Sequence, residues 1–228
     1  MRVDKLRSEY QSLIEEFTRQ AKAAGGMVHS SRPSLLSVPG ESGEVEVVGI
    51  FYLKQWPYSS GSTKATKKLD ILLRSAEVYE QNSLCLRRST IQVMYYNTST
   101  VEAEPNLGIH YDYEYKMGAA HPIFHAQLGS SSFSMEELAA VKFDRPIQKW
   151  KDLVRVRIPT VHIGFPAAIL SLFADHLPHD RFDSFLKYAQ KQHLFVNAKA
   201  RVDCRAIPIK ESDSMVFQAH RLYANELT

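Results

Sequence analysis

Six short runs rich in Val, Ile, Tyr and Phe follow one another along the middle of the chain: Glu44–Leu53, Leu69–Val78, Leu84–Tyr96, Gly108–Tyr115, Ile123–Leu128 and Leu153–Ile158. Several of the linkers between them are too short to hold the crossover helix that a parallel strand pair requires. That argues against a doubly wound parallel fold and predicts a largely antiparallel twisted sheet. Leu69–Val78 is ambiguous by itself, because Leu69, Leu72, Leu73 and Ala76 also draw a helical stripe.

The flanks follow a different period. Leu6, Tyr10, Leu13, Ile14, Phe17 and Ala21 recur at spacings of three and four, so residues 1–26 are expected to form an N-terminal helix ended by Gly25-Gly26. From Ser30 to Gly43 the chain is rich in Ser, Pro and Gly without a period and reads as a connecting loop, or as the boundary of a detachable helix. Beyond Pro159 the pattern is helical again. Pro166 suits the first turn of a helix running to about Leu177, with Phe165, Ala168, Ile169, Leu172 and Phe173 facing the core. Pro178 stops it, and Asp180 can cap a second helix whose apolar positions are Phe182, Phe185, Leu186 and Ala189. A strand near Ala206–Ile209 and a helix around Met215–Tyr223 complete the expectation. The whole is an α+β fold in a single domain over 1–228: an N-terminal helix, a mainly β region over 44–158, and a mainly helical region over 163–228 that holds a C-terminal helical hairpin.

Composition narrows the setting. The chain is 44% hydrophobic and 23% charged, as ordinary globular proteins are. Its richest apolar segment, Ile163–Phe173, contains Gly164 and Pro166 and falls short of the roughly 18 residues a membrane helix needs. Charged residues fill the first turns, where a secretory signal would be apolar. The two cysteines, Cys85 and Cys204, are far apart and outside any zinc spacing. A soluble cytoplasmic protein that does not enter membranes is the expectation. The net charge of +3 permits contact with nucleic acid without arguing for it.

Chemically capable residues are densest in His110-Tyr111-Asp112-Tyr113-Glu114 and in His121-Pro122-Ile123-Phe124-His125-Ala126-Gln127. Strand alternation puts His110, Asp112 and Glu114 on one face, with Ile109, Tyr111, Tyr113 and Tyr115 on the other. Lys116–Ala120 is short enough for a hairpin, predicted over Gly108–Leu128. A register that aligns the polar faces brings His110, Asp112 and His125 together, with His121 at the hairpin end. Two histidines and a carboxylate form the ligand set of many zinc and non-haem iron sites, so a divalent metal is the candidate cofactor. The spacing is not diagnostic. Iron- and 2-oxoglutarate-dependent oxygenases have a more distant second histidine, and the cupin pattern of glycine-framed His-x-His is missing. A solvated sheet face explains the same residues and is the preferred reading.

Loops for nucleotide phosphates, nucleophile elbows and His-Glu-x-x-His helices are absent from the sequence. Ser130-Ser131-Ser132 has no base at a familiar spacing. His176 and His179, flanked by Asp175 and Asp180, are read as helix-end residues rather than a metal site. Basic residues gather at Lys64, Lys67 and Lys68, at Arg87 and Arg88, and at Lys149, Lys151, Arg155 and Arg157. Arg155 and Arg157 share parity and are the candidate phosphate-binding pair.

The motifs His110-Tyr111-Asp112, His121-Pro122-Ile123-Phe124-His125, Arg157-Ile158-Pro159-Thr160 and Pro166-Ala167-Ala168-Ile169-Leu170 resemble uncharacterised bacterial proteins with an acidic strand, a His-Pro-x-x-His strand, an Arg-Ile-Pro segment and then a helix. The resemblance spans Leu107 to Leu177 and implies a setting beside bacterial toxin–antitoxin or antiviral systems, a bacterial defence role; it brings no catalytic residues with it. The leading expectation is a binding module that contacts a protein partner or nucleic acid. The alternative is a metal-dependent hydrolase or oxygenase built on His110, Asp112, His121 and His125.

Overall fold

The structure is a computed structural model and describes residues 3–30, 34–37, 43–58, 67–82, 86–98, 100–114, 124–129, 133–148, 157–160, 164–177 and 179–191. An N-terminal helix α1 (Val3–Ala23) leads into eight strands: β1 (Met27–Ser30), β2 (Ser34–Ser37), β3 (Glu44–Tyr58), β4 (Lys67–Glu80), β5 (Leu86–Asn97), β6 (Pro105–Glu114), β7 (Phe124–Leu128) and β8 (Arg157–Pro159). The short helix α2 (Met135–Ala140) lies between β7 and β8, and α3 (Phe165–His176) and α4 (His179–Gln190) follow them. The strands form one sheet in the order β1-β3-β4-β5-β6-β7-β8, with β2 also paired to β3, and among the described residues these strands all pair antiparallel. The α+β class, with an N-terminal helix and a helical hairpin after the strands, is as the sequence predicts.

The sheet has two unlike faces. One carries Val47, Phe51, Leu53, Ile71, Leu73, Ile91 and Val93 and receives α1, α3 and α4. The predicted stripe of α1, from Leu6 to Ala21, is buried throughout. Gly25 takes φ +85 at the end of that helix, and the Gly26 N–H reaches back to the Ala21 carbonyl at 3.0 Å, which is the reason a glycine stands there. In the helical hairpin Phe173 of α3 stacks on Phe185 of α4 at 4.7 Å and meets Phe17 of α1 and Trp56 of β3, each at 5.9 Å. The other face carries Tyr52, Leu72, Met94 and Tyr96, covered by Leu138 of α2 and by Val141 and Phe143.

A charged side chain, that of Glu77, sits inside the larger core. Glu77 of β4 is 1% exposed. Its carboxylate accepts hydrogen bonds from the Tyr10 hydroxyl of α1, the Tyr79 hydroxyl at 3.3 Å, the Ser89 hydroxyl at 3.4 Å and the backbone N–H of Phe165 at 3.4 Å. The N-cap of α3 is Gly164, which has no side chain to satisfy the first N–H groups, so the sheet supplies the missing acceptor.

Two sequence expectations need correction. Residues 34–37, inside the segment read as a loop over Ser30–Gly43, form β2, and Met27–Ser30 just before it forms β1. Both gain strand structure by pairing with the outer edge of β3, a long-range bond that composition does not reveal. Helix α2 has no counterpart among the predicted elements, although Ser134 and Glu137 make a full capping box, with Glu137 N–H to Ser134 Oγ at 3.1 Å and Ser134 N–H to Glu137 Oε2 at 2.8 Å. The early part of the predicted strand Leu153–Ile158, both cysteines, and the elements predicted near Ala206–Ile209 and Met215–Tyr223 lie outside the described residues. Among those described, no helix is long and apolar enough to cross a membrane.

Phe173 is fully buried against the rings of Phe17, Trp56 and Phe185. Phe173→Ala is therefore expected to lower unfolding free energy by about 3–5 kcal/mol in a urea titration; a loss below about 1 kcal/mol would place this face outside the core. Glu77→Gln keeps the shape but removes the charge that strengthens these hydrogen bonds, and a loss of about 1.5–3 kcal/mol is expected by the same measurement.

Candidate functional site

The predicted hairpin forms, with Ile109 opposite Leu128, His110 opposite Gln127, Tyr111 opposite Ala126, Asp112 opposite His125 and Tyr113 opposite Phe124. Its tyrosine face turns to the larger core, where Tyr113 is 1% exposed and Tyr111 packs at the margin. Burial raises the pKa of the Tyr111 phenol, reinforced by Asp175 nearby. His110, Asp112 and His125 consequently share the opposite face, the one that α2 covers at its β3–β5 side.

Register adds residues that the motifs alone do not select. Arg74 of β4 pairs with Gln92 of β5, Gln92 with His110 of β6, His110 with Gln127 of β7, and Gln127 with Arg157 of β8. Side chains of directly opposed residues leave a sheet on the same side. These five form a polar strip perpendicular to the strands, about 19 Å long for four inter-strand steps of about 4.8 Å. Arg157 is exposed, and Arg74, Gln92, His110 and Gln127 are half-buried. Arg74 is held at one end by an ion pair to Glu137 of α2, Nε to Oε1 at 3.2 Å. Gln92 Oε1 is buried without a hydrogen-bond partner among the described residues.

A second row runs beside the strip through Thr90, Asp112 and His125. His125 Nε2 lies 3.5 Å from Asp112 Oδ2, at the outer limit of hydrogen bonding, and the two side chains are 2% and 16% exposed. An imidazole so deeply covered is positioned by its carboxylate neighbour but does not reach an incoming substrate, which a general base must do.

The strip is braced from behind its apolar border. Asp70 of β4, 4% exposed, accepts from Arg145 at 2.8 Å, from the Tyr52 hydroxyl at 3.1 Å and from the Gln55 backbone N–H at 2.8 Å, where β3 bulges and Gln55 takes φ +50. Arg145 also donates to the carbonyls of Asn97 and Thr100, each within 3.1 Å, fixing the β5–β6 connection. Burial and the Asp70 carboxylate both push the Tyr52 phenol upward, and burial pushes Tyr96 up to about 12, against the lowering influence of Arg145. These phenols are therefore neutral near pH 7, and the Tyr52 hydroxyl donates to Asp70.

Of the sequence-selected residues, then, His110, Asp112, His125 and Arg157 come together on one face. His121 and Arg155 lie outside the described residues, as do Ser130-Ser131-Ser132, Lys64, Lys149 and Lys151. Among the described residues no three His, Cys, Asp or Glu side chains are grouped closely enough to hold an ion. The register aligns the faces as the metal reading requires, but His110, Asp112 and His125 alone do not complete a ligand set. Arg87 is engaged by Glu80 at 2.6 Å, and Arg88 stands opposite Glu114. His176 faces the core rather than capping its helix. Arg74, Gln92 and Gln127 escape a reading by motif because only the pairing of strands distant in sequence sets them in line.

Since His125 is buried against Asp112, His125→Ala is expected to destabilise the fold by about 1–3 kcal/mol in urea, the usual cost of stranding a buried polar partner. A loss under about 0.5 kcal/mol would mean the pair contributes nothing to the structure.

Compared with family models, with curated proteins and with solved structures, the chain matches none.

Proposed function

We propose that this protein is a binding module that contacts nucleic acid or a protein partner through the polar strip Arg74–Gln92–His110–Gln127–Arg157. The observation that carries this reading is the strip itself: five long hydrogen-bonding side chains brought into one line by four separate strand pairings. Guanidinium and amide groups are the donors used to hold phosphate oxygens and to recognise base edges or peptide carbonyls. None of the five is a nucleophile with an adjacent base, and His125, in the row beside the strip, is buried next to Asp112. The bacterial defence setting follows from the resemblance alone.

The strip favours contact of modest strength, because Arg74 is already paired to Glu137 and Asp112 adds negative charge one row away. Fluorescence anisotropy with single- and double-stranded oligonucleotides at rising salt tests the nucleic-acid arm. Weak binding that falls with salt is expected. Arg155→Ala with Arg157→Ala should weaken it for all sequences alike and flatten the salt slope by about one for each phosphate that the arginines neutralise. Gln92→Ala with Gln127→Ala should weaken binding with the slope unchanged. Oligonucleotides that fail to bind at low salt leave the protein-partner arm, and binding indifferent to all four substitutions removes the strip from the function. The metalloenzyme alternative would announce itself in elemental analysis of the purified protein as about one metal per chain, released by His125→Ala.

A further inference from the structure

His176, in the last turn of α3, is 8% exposed and faces the larger core. The indole N–H of Trp56, itself 0% exposed, donates to His176 Nδ1 at 3.1 Å. An acceptor Nδ1 means that the single proton of the neutral ring is on Nε2. Around the imidazole stand Tyr58 of β3, with ring centroids 5.2 Å apart, and Tyr95 of β5 at 5.7 Å, both edge-on. Burial, reinforced by Tyr111 of the neighbouring strand β6, keeps the Tyr95 phenol neutral. Asp175, the preceding residue of α3, is exposed and is the charged group that acts on the ring. His179 opens α4 three residues further on.

We propose that His176 is a proton-operated latch for the α3–α4 hairpin: a proton taken up on Nδ1 ends the Trp56 bond, turns the ring toward Asp175 and frees the end of α3 from β3. With Nδ1 protonated, two N–H donors face each other across 3.1 Å, and the bond becomes a repulsion. The exposed carboxylate of Asp175 offers the imidazolium a counter-ion. Trp56 is the first residue of β3 to pair after its bulge, so the indole is anchored in the sheet and the end of α3 is the part released.

The direction of linkage follows from burial. Desolvation lowers the pKa of His176 below its ordinary 6.5, and Asp175 opposes this without reversing it. The unfolded or undocked chain therefore holds the proton more tightly than the docked one. The latch contributes fully above about pH 6.5, and its contribution is lost as pH falls from there toward the docked-state value.

The test is a pH titration of the full chain by NMR, following the His176 ring carbons and the indole N–H of Trp56, with Trp150→Phe used to assign the two indole signals. One shared midpoint below 6.5 for both signals is expected. His176→Gln keeps an acceptor for the indole and should abolish the Trp56 step, and Asp175→Asn should move the His176 midpoint lower still. A His176 midpoint at or above 6.5, or an indole step that persists in His176→Gln, overturns the proposal; an unmoved midpoint in Asp175→Asn overturns the role given to Asp175. If His176→Gln fails to fold, the wild-type titration still decides, because an indole signal that ignores the His176 midpoint is incompatible with a latch.

Discussion

The position of the helical layer depends on Glu77. Apolar packing between α1, α3 and the sheet is non-directional and tolerates sliding, but a carboxylate inside that packing accepts only donors placed where it is. Tyr10 fixes α1 to it, the Phe165 N–H fixes the start of α3, and Ser89 and Tyr79 fix the carboxylate to its own sheet. The Tyr10 and Tyr79 hydroxyls also meet at 2.6 Å, so the two phenols and the acid form one connected group. The positive end of the α3 dipole further favours the negative charge there. Leaving any of these groups without the others would bury an unmet charge or donor, and that asymmetry selects one arrangement of helices over the sheet.

The order of elements is legible in the sequence because it depends on local pattern. The α1 stripe, the β6–β7 hairpin and the proline-framed α3 and α4 each follow from spacing within a dozen or so residues. Leu69–Val78 resolves as strand because both neighbours, β3 and β5, hold it for most of its length, a constraint that overrides its helical stripe. What escapes reading is nonlocal. Ser34–Ser37 becomes strand only because β3 leaves an edge open to it. The faces of His110, Asp112 and His125 follow from parity, yet the burial of His125 and the alignment of Arg74, Gln92 and Gln127 depend on pairings between residues far apart in the chain. The capping box at Ser134 is local and readable; Met135–Ala140 is only six residues long and has no period to draw attention to it.

The two sheet faces divide the labour of the molecule. The helix-covered face holds most of the large apolar side chains, and its buried polar residues, Glu77, Ser75 and Ser89, are enclosed. The opposite face places its apolar residues under α2 and leaves hydrogen-bonding side chains over β5, β6 and β7. The Asp70–Arg145 pair marks the border between these two uses, tying the segment after α2 to both β4 and the β5–β6 connection.

The order of side chains along that strip has a consequence for recognition. Arginine, glutamine, histidine, glutamine and arginine read the same from either end, so a linear ligand laid across the strands would find nearly equal chemistry in both orientations. The surroundings differ: Glu137 attends the half-buried Arg74 at one terminus, whereas Arg157 stands exposed on β8 at the other. The asymmetry of the strip therefore lies in its surroundings, with a six-residue helix attending one end and an exposed arginine closing the other.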